Sequence, residues 1–418
     1  MVFSKTLPNG LRIIGQKLPY FHSLSIGVWI GTGTVKETLS EGGISHFIEH
    51  MLFKGTQTRS AQDIASQMDS IGAQINAFTS KECTCYYIRA TEEYLQEAVD
   101  MLGDIVLHSA FDKAEMEKEK GVIVEEILMV EDSPEDLALD LLGETFYKGH
   151  ELGWPILGTK QSVTGFTRED LIRYVDKHYN PANILISCAG NFDEAELVDA
   201  VAKAFNIPAS GTEQPWPGKP QRNKKSICVR EKDIEQAHIA LALPGYDSES
   251  SGYFPLLILN NAFGGNMSSR LFQKIREEKG LAYSVYSYTF SYRNTGGMGI
   301  YAGTNASQAK AVLNLMIEEI NLLRKSGLTE EELTRSKNQL KGSYILANES
   351  VASRMTSIGK SMLLLGKTHT EEETIAKIEA VTAESVQAIL SDVLDTSSMC
   401  ASIVGKTGMT EDEISKLW

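Results

Sequence analysis

The strongest constraint on this chain is an echo within it. Phe111-Asp112-Lys113-Ala114-Glu115 opens a charged helical stretch, and 217 residues later Leu328-Thr329-Glu330-Glu331-Glu332 opens another. Val163-Thr164-Gly165-Phe166-Thr167 is answered after 215 residues by Ile378-Glu379-Ala380-Val381-Thr382, each leading into a helix and then an apolar strand. Two nearly equal offsets imply two copies of one domain. A length of 418 residues, too great for one ordinary core, agrees with this. Between the copies, Gly211 to Lys225 contains Pro215, Pro217 and Pro220 with Trp216, a composition that favours an extended linker. The expectation is an α+β chain of two homologous half-domains, 1–210 and 226–418, joined by the linker 211–225. Each half should be a largely antiparallel sheet packed with helices.

In the first copy, Leu7-Pro8-Asn9-Gly10 reads as a hairpin turn, and Ser23 to Ile30 as a strand. A helix from Thr58 to Ile71 has Ser60 as its cap and Ile64, Met68 and Ile71 as its inner face. Gln74 to Ser80 and Cys83 to Ala90 are strands, and Thr91 to His108 is a helix striped by Leu95, Val99, Leu102 and Val106. Phe111 to Val130 is a longer, charged helix.

Chemistry concentrates at Gly42-Gly43-Ile44-Ser45-His46-Phe47-Ile48-Glu49-His50-Met51-Leu52-Phe53. On a helix His46 and His50 sit one turn apart with Glu49 beside them. Two neutral imidazoles can take two corners of a tetrahedral metal site, and the carboxylate next to the second faces the open corner. Alone, the pattern also suits two partly buried histidines with a Glu on the wet side. The charged helix supplies what a third ligand requires: Glu119 and Glu126 are two turns apart and share a face with Val122 and Val130, whereas Glu125 lies about 100° round the axis. A carboxylate on an apolar stripe is costly unless a charge meets it. Two of them opposite a two-histidine helix are better explained as a metal ligand and its supporting residue than as side chains reaching for water, and spacing does not choose between them. The second copy offers Leu259-Asn260-Asn261-Ala262-Phe263-Gly264 in place of the histidine helix, so the first half alone should bind metal. By itself, Arg276 to Tyr283 reads as a surface ion-pair cluster running into a strand.

Composition narrows the partners. A net charge of −15 argues against nucleic acid or an anionic membrane and favours basic or neutral ligands. No leader-like apolar segment or membrane-length run is present, and five cysteines without a framework spacing suit reduced thiols, so a cytoplasmic location is expected.

With these residues in place, the chain resembles the inverzincin metallopeptidases of the pitrilysin and insulinase superfamily, above all the mitochondrial processing peptidase β-subunit and its bacterial homologues. The resemblance spans essentially the whole chain and is most specific at residues 43–56. It implies halves that close as a clamshell. It also implies one Zn2+ per chain on His46, His50 and a Glu 76 residues past the second His, which is Glu126. Glu49 is the implied general base, and Glu119, seven before the third ligand, completes the implied catalytic set. The family adds its substrate as a strand to the edge of the active-site sheet, here Asn76-Ala77-Phe78-Thr79, and holds its backbone or terminal carboxylate with an Arg and a Tyr that match Arg276 and Tyr283. The implied function is zinc-dependent endopeptidase action on short or unfolded peptides in a closed chamber, by a homodimer without nucleic-acid or membrane partners. The alternative is a noncatalytic scaffold or assembly subunit of the same fold, as in family members that have lost the zinc ligands. Here every ligand is present.

Overall fold

The computed structural model describes residues 2–209, 211–212, 215–221 and 224–418. Residues 213, 214, 222 and 223 of the expected linker, with residue 210 at the expected domain end, lie outside the described residues.

The first strands are β1 (Val2–Thr6), β2 (Arg12–Lys17), β3 (Ser23–Ile30), β4 (Gln74–Thr79), β5 (Thr84–Thr91) and β6 (Ile184–Gly190). They make one sheet in the order β1-β2-β6-β3-β5-β4, antiparallel except for the parallel pair β2 and β6. The helices of this stretch of chain begin with α1 (Ile44–Leu52), α2 (Ala61–Ser70), α3 (Leu95–His108) and α4 (Lys113–Asp132). They continue with α5 (Pro134–Phe146), α6 (Lys160–Gly165), α7 (Arg168–His178) and α8 (Glu194–Ala204).

The later strands are β7 (Ser226–Arg230), β8 (Gln236–Gly245), β9 (Ala282–Ser291), β10 (Gly296–Asn305) and β11 (Cys400–Val404). Their order is β7-β11-β8-β10-β9, again with one parallel pair, β7 and β11. This repeats β2-β6-β3-β5-β4 strand for strand, so the duplication read from sequence is present in the topology. The remaining α-helices are α9 (Tyr253–Phe263), α10 (Ala309–Ser326), α11 (Glu330–Ala347), α12 (Val351–Leu365), α13 (Glu371–Glu379), α14 (Ala383–Val393) and α15 (Glu411–Ser415). No described helix is long and apolar enough to cross a membrane.

The expected domain boundaries require correction. One compact unit takes Met1–Ile127, Trp154–Pro217 and Leu346–His369, and the other takes Leu128–Gly153, Gly218–Ile345 and Thr370–Trp418. A helix of each copy therefore belongs with the other copy's sheet. The physical reason is that both sheets are apolar on both faces, as β3 shows by being buried along nearly its whole length. Its Leu24, Ile26, Val28 and Ile30 join the core with α1 and α3, while Trp29 faces Met355 and Ile358 of α12. In the other unit α5 plays that part, with Ala138, Leu141 and Leu142 against Ala240, Ala242 and Val404. A contiguous cut at 210–226 would leave one face of each sheet bare.

Candidate metal centre

Helix α1 begins at Gly43, whose φ of 89° glycine adopts without steric cost. A Cβ there would lie 2.6 Å from the Leu157 carbonyl oxygen. From this start Ile44, Phe47, Ile48, Met51 and Leu52 bury one face. Helical periodicity then turns His46, Glu49 and His50 onto the opposite, half-buried arc. The two imidazole centroids are 4.6 Å apart.

Helix α4 supplies the acids. Met116, Glu119 and Ile123 are buried and Ile127 packs on the core, with Glu126 half-buried beside them. Val122, expected on the same face, is instead 44% exposed. Three residues rotate a helix by about 300°, which carries Val122 past the edge of the buried arc, whereas seven residues bring Glu126 back to within about 20° of Glu119. Glu125 is exposed, as its position round the axis predicts.

Glu126 Oε2 lies 3.7 Å from His46 Nε2 and 3.5 Å from His50 Nε2, and the three ligand atoms fall within 4.8 Å of one another. With metal–ligand bonds of about 2.0–2.1 Å, the edges of a tetrahedral zinc site are about 3.3–3.4 Å, so this N, N, O set fits zinc. Burial, reinforced by the neighbouring His50, lowers the His46 pKa to about 4, so that ring is neutral near pH 7 with a lone pair to give.

Glu119 stands behind His50 rather than at the open corner. Its Oε2 accepts a hydrogen bond from His50 Nδ1 at 3.0 Å, which fixes the tautomer and turns the Nε2 lone pair toward Glu126. Its Oε1 meets the Lys54 ammonium at 2.7 Å, so the buried carboxylate is charge-paired. Glu119 thus contacts His50 through one oxygen and Lys54 through the other. Lys54 was not anticipated. Its signal was present in sequence, because it lies one turn beyond His50 where a buried acid needs a cation.

Glu49 is gathered into the same place. Its Oε2 accepts from the Thr79 hydroxyl at 2.5 Å, and burial raises its pKa against the lowering effect of that bond. Thr79 ends β4, the edge strand that holds the other expected substrate-strand residues, Asn76, Ala77 and Phe78. Asn76 Oδ1 accepts from the Ala77 backbone N–H at 2.8 Å, and the Phe78 ring packs edge-on against Trp29 at 5.6 Å.

Arg276 and Tyr283 are found together in the other compact unit. The Arg276 guanidinium sits 4.7 Å from each of the Phe272 and Tyr283 ring centroids, within and just after a π-helical turn, Phe272–Glu278. Tyr283 is 79% exposed.

Known proteins resemble this chain in sequence and in fold. Residues 12–160 match the insulinase (peptidase family M16) profile, and residues 165–340 match the peptidase M16 inactive domain. The uncharacterized zinc protease YmxG of Bacillus subtilis is 44% identical over 93% of this chain and 95% of its own length. An uncharacterized zinc protease of Streptomyces coelicolor is 39% identical over 93% of this chain and 86% of its own. Among solved structures, the fold matches a peptidase M16 inactive domain from Pseudomonas fluorescens at TM-score 0.92 and 20% identity, covering 98% of this chain and 99% of that one. It also matches a protease from Helicobacter pylori at TM-score 0.90 and 20% identity, covering 97% and 99%. Two profile matches in tandem, together with relatives this similar over nearly the full length, establish that the chain belongs to the insulinase family of peptidases, M16.

Proposed function

We propose that the chain is a zinc-dependent endopeptidase acting on short or unfolded peptides. The observation that carries the reading is the convergence of His46 Nε2, His50 Nε2 and Glu126 Oε2 on the helical arc that also presents Glu49. Held by His46, His50 and Glu126, zinc would supply Lewis-acid chemistry toward the scissile carbonyl and toward water. Glu49 provides the base. Thr79 anchors Oε2, leaving Oε1 to take the proton of the attacking water, and burial makes this carboxylate more basic than an exposed one. The same carboxyl then returns the proton to the leaving amine. Glu119 keeps the His50 ring in register throughout. The edge of β4 receives the peptide as an added strand through residues 76–79, with the Asn76–Ala77 hydrogen bond opening to free a backbone donor. Arg276 and Tyr283 are assigned to the peptide backbone or its terminal carboxylate. The family likeness further supports a homodimer and a chamber closed to folded proteins, and five free cysteines suit a cytoplasmic enzyme.

The test is zinc content combined with cleavage of a quenched fluorescent peptide library, comparing wild type with Glu49→Gln. Both proteins should carry a single zinc per chain, while turnover of the variant falls by roughly a hundredfold or more. Wild-type protein that remains inactive with zinc bound would favour the noncatalytic scaffold.

A further inference from the structure

The helix that carries the site cannot cap itself. Neighbouring helices begin on residues whose side chains accept from their own first turns, as Ser60 does from the Asp63 N–H in α2 and Thr167 from the Asp170 N–H in α7. Gly43 has no side chain to offer and, against the Leu157 carbonyl, no room for one. Two of the open amides at the α1 start are met from elsewhere. Glu37, six residues upstream and 4% exposed, accepts from the Gly43 N–H through Oε2 at 2.9 Å and from the Ser45 N–H through Oε1 at 3.0 Å. The Ser45 hydroxyl meets the Tyr174 hydroxyl at 2.9 Å, which meets the Thr32 hydroxyl at 2.7 Å, all three residues being buried.

We infer that Glu37, with Tyr174 behind it, is a positioning residue that fixes the start of α1 and thereby the aim of His46, Glu49 and His50. The inference rests on the metal-site reading above. Two oxygens of one carboxylate grip two backbone amides, which opposes both rotation and sliding of the helix. Side-chain tips lie about 5–6 Å from a helix axis, so a turn of about 20° moves them by about 2 Å, beyond the ~0.5 Å that an active site tolerates. Such a carboxylate is costly to keep, and burial pushes the Glu37 pKa up to about 7 against the lowering effect of its amide donors.

Glu37→Gln is the direct test, because an amide offers one acceptor and must set its NH2 against the other backbone N–H. Zinc affinity of the apo protein would be measured by competition with a chelating dye, alongside the visible spectrum of the Co2+ form, circular dichroism and a thermal melt. A folded Glu37→Gln variant should bind zinc about tenfold more weakly with altered cobalt bands, and Tyr174→Phe should shift both readouts in the same direction by a smaller factor. A folded Glu37→Gln variant with zinc affinity within about twofold of wild type and an unchanged cobalt spectrum overturns the inference, even if its melting temperature falls. Should Glu37→Gln fail to fold, Tyr174→Phe decides by the same criterion. Wild-type protein that binds no zinc would sink the metal-site reading itself, a distinct failure.

Discussion

Two copies of one scaffold, one with a candidate set of metal ligands and one without such a set among the described residues, separate what the fold needs from what the chemistry needs. On the helical face, the offset of 217 residues that relates α4 to α11 sets Ser336 against Glu119 and Ser343 against Glu126. Ser336 is as buried as Glu119, and α9 holds Asn260 and Asn261 where α1 holds histidines. The second copy builds the same sheet without these charges, so Glu119 and Glu126 are not needed to form it. On the opposite face the copies differ by volume exchange. Gly190 and Gly405 share a φ near 130°, and a Cβ on either would strike the next strand at Leu24 or Ala237, which aligns Trp29 with Ala242. The covering helices compensate: Gly359 of α12 lies under Trp29, and Leu142 of α5 lies in the core with Ala242. The polar partner follows suit. Ser187 Oγ accepts from the Trp29 indole at 2.7 Å, while its counterpart Ser402 has a buried Oγ without a hydrogen-bond partner among the described residues.

Exchanging residues between the copies tests this account. Glu126→Ser gives the first copy the residue of the second and should remove stoichiometric zinc, weakening affinity by more than the 10–100-fold typical of a supporting residue; mass spectrometry under native conditions reads it. Retention of tight zinc would mean the third ligand lies elsewhere. Glu119→Ser should leave zinc bound but about 10–100-fold more weakly, by chelator competition. Gly359→Ala places a Cβ 2.3 Å from the Trp29 indole nitrogen and should cost about 1–3 kcal/mol, a melting point lower by several degrees. A neutral result would show that α12 can move outward freely. The smallest effect falls at one of two paired serines. Ser187→Ala strands a buried indole N–H and should cost about 1–3 kcal/mol, whereas Ser402→Ala removes a hydroxyl without a partner and should be neutral or stabilising by less than about 1 kcal/mol. Equal losses at both would break the proposed correspondence.

Much of this was legible in the sequence because it was written in periodicity. The duplication follows from two nearly equal offsets along the chain, and the inner faces of α2 and α3 and the grouping of two histidines with two glutamates follow from spacing along single elements. What stayed hidden depended on partners distant in sequence. Amphipathic patterning shows that α5 and α12 need a sheet but not which sheet, so the domain boundaries were misplaced. The Thr79 hydroxyl on Glu49 joins segments whose approach no local pattern encodes, and the Glu37 cap depends on the path the chain takes between Glu37 and Gly43. Val122 was misassigned because the stripe on a mostly charged helix is only a few residues wide.

The exchanged helices set a timetable for the nascent chain. When the ribosome has made the first copy through the proline-rich stretch, the sheet face bearing Ile14, Trp29 and Leu185 still lacks its cover, which is encoded in residues 351–365. At about 5–20 residues per second, that face stays wet and adhesive for roughly 10–30 s. Neither copy can therefore mature as an independent module, and a gene truncated at the linker would yield a protein with an open apolar wall rather than half an enzyme.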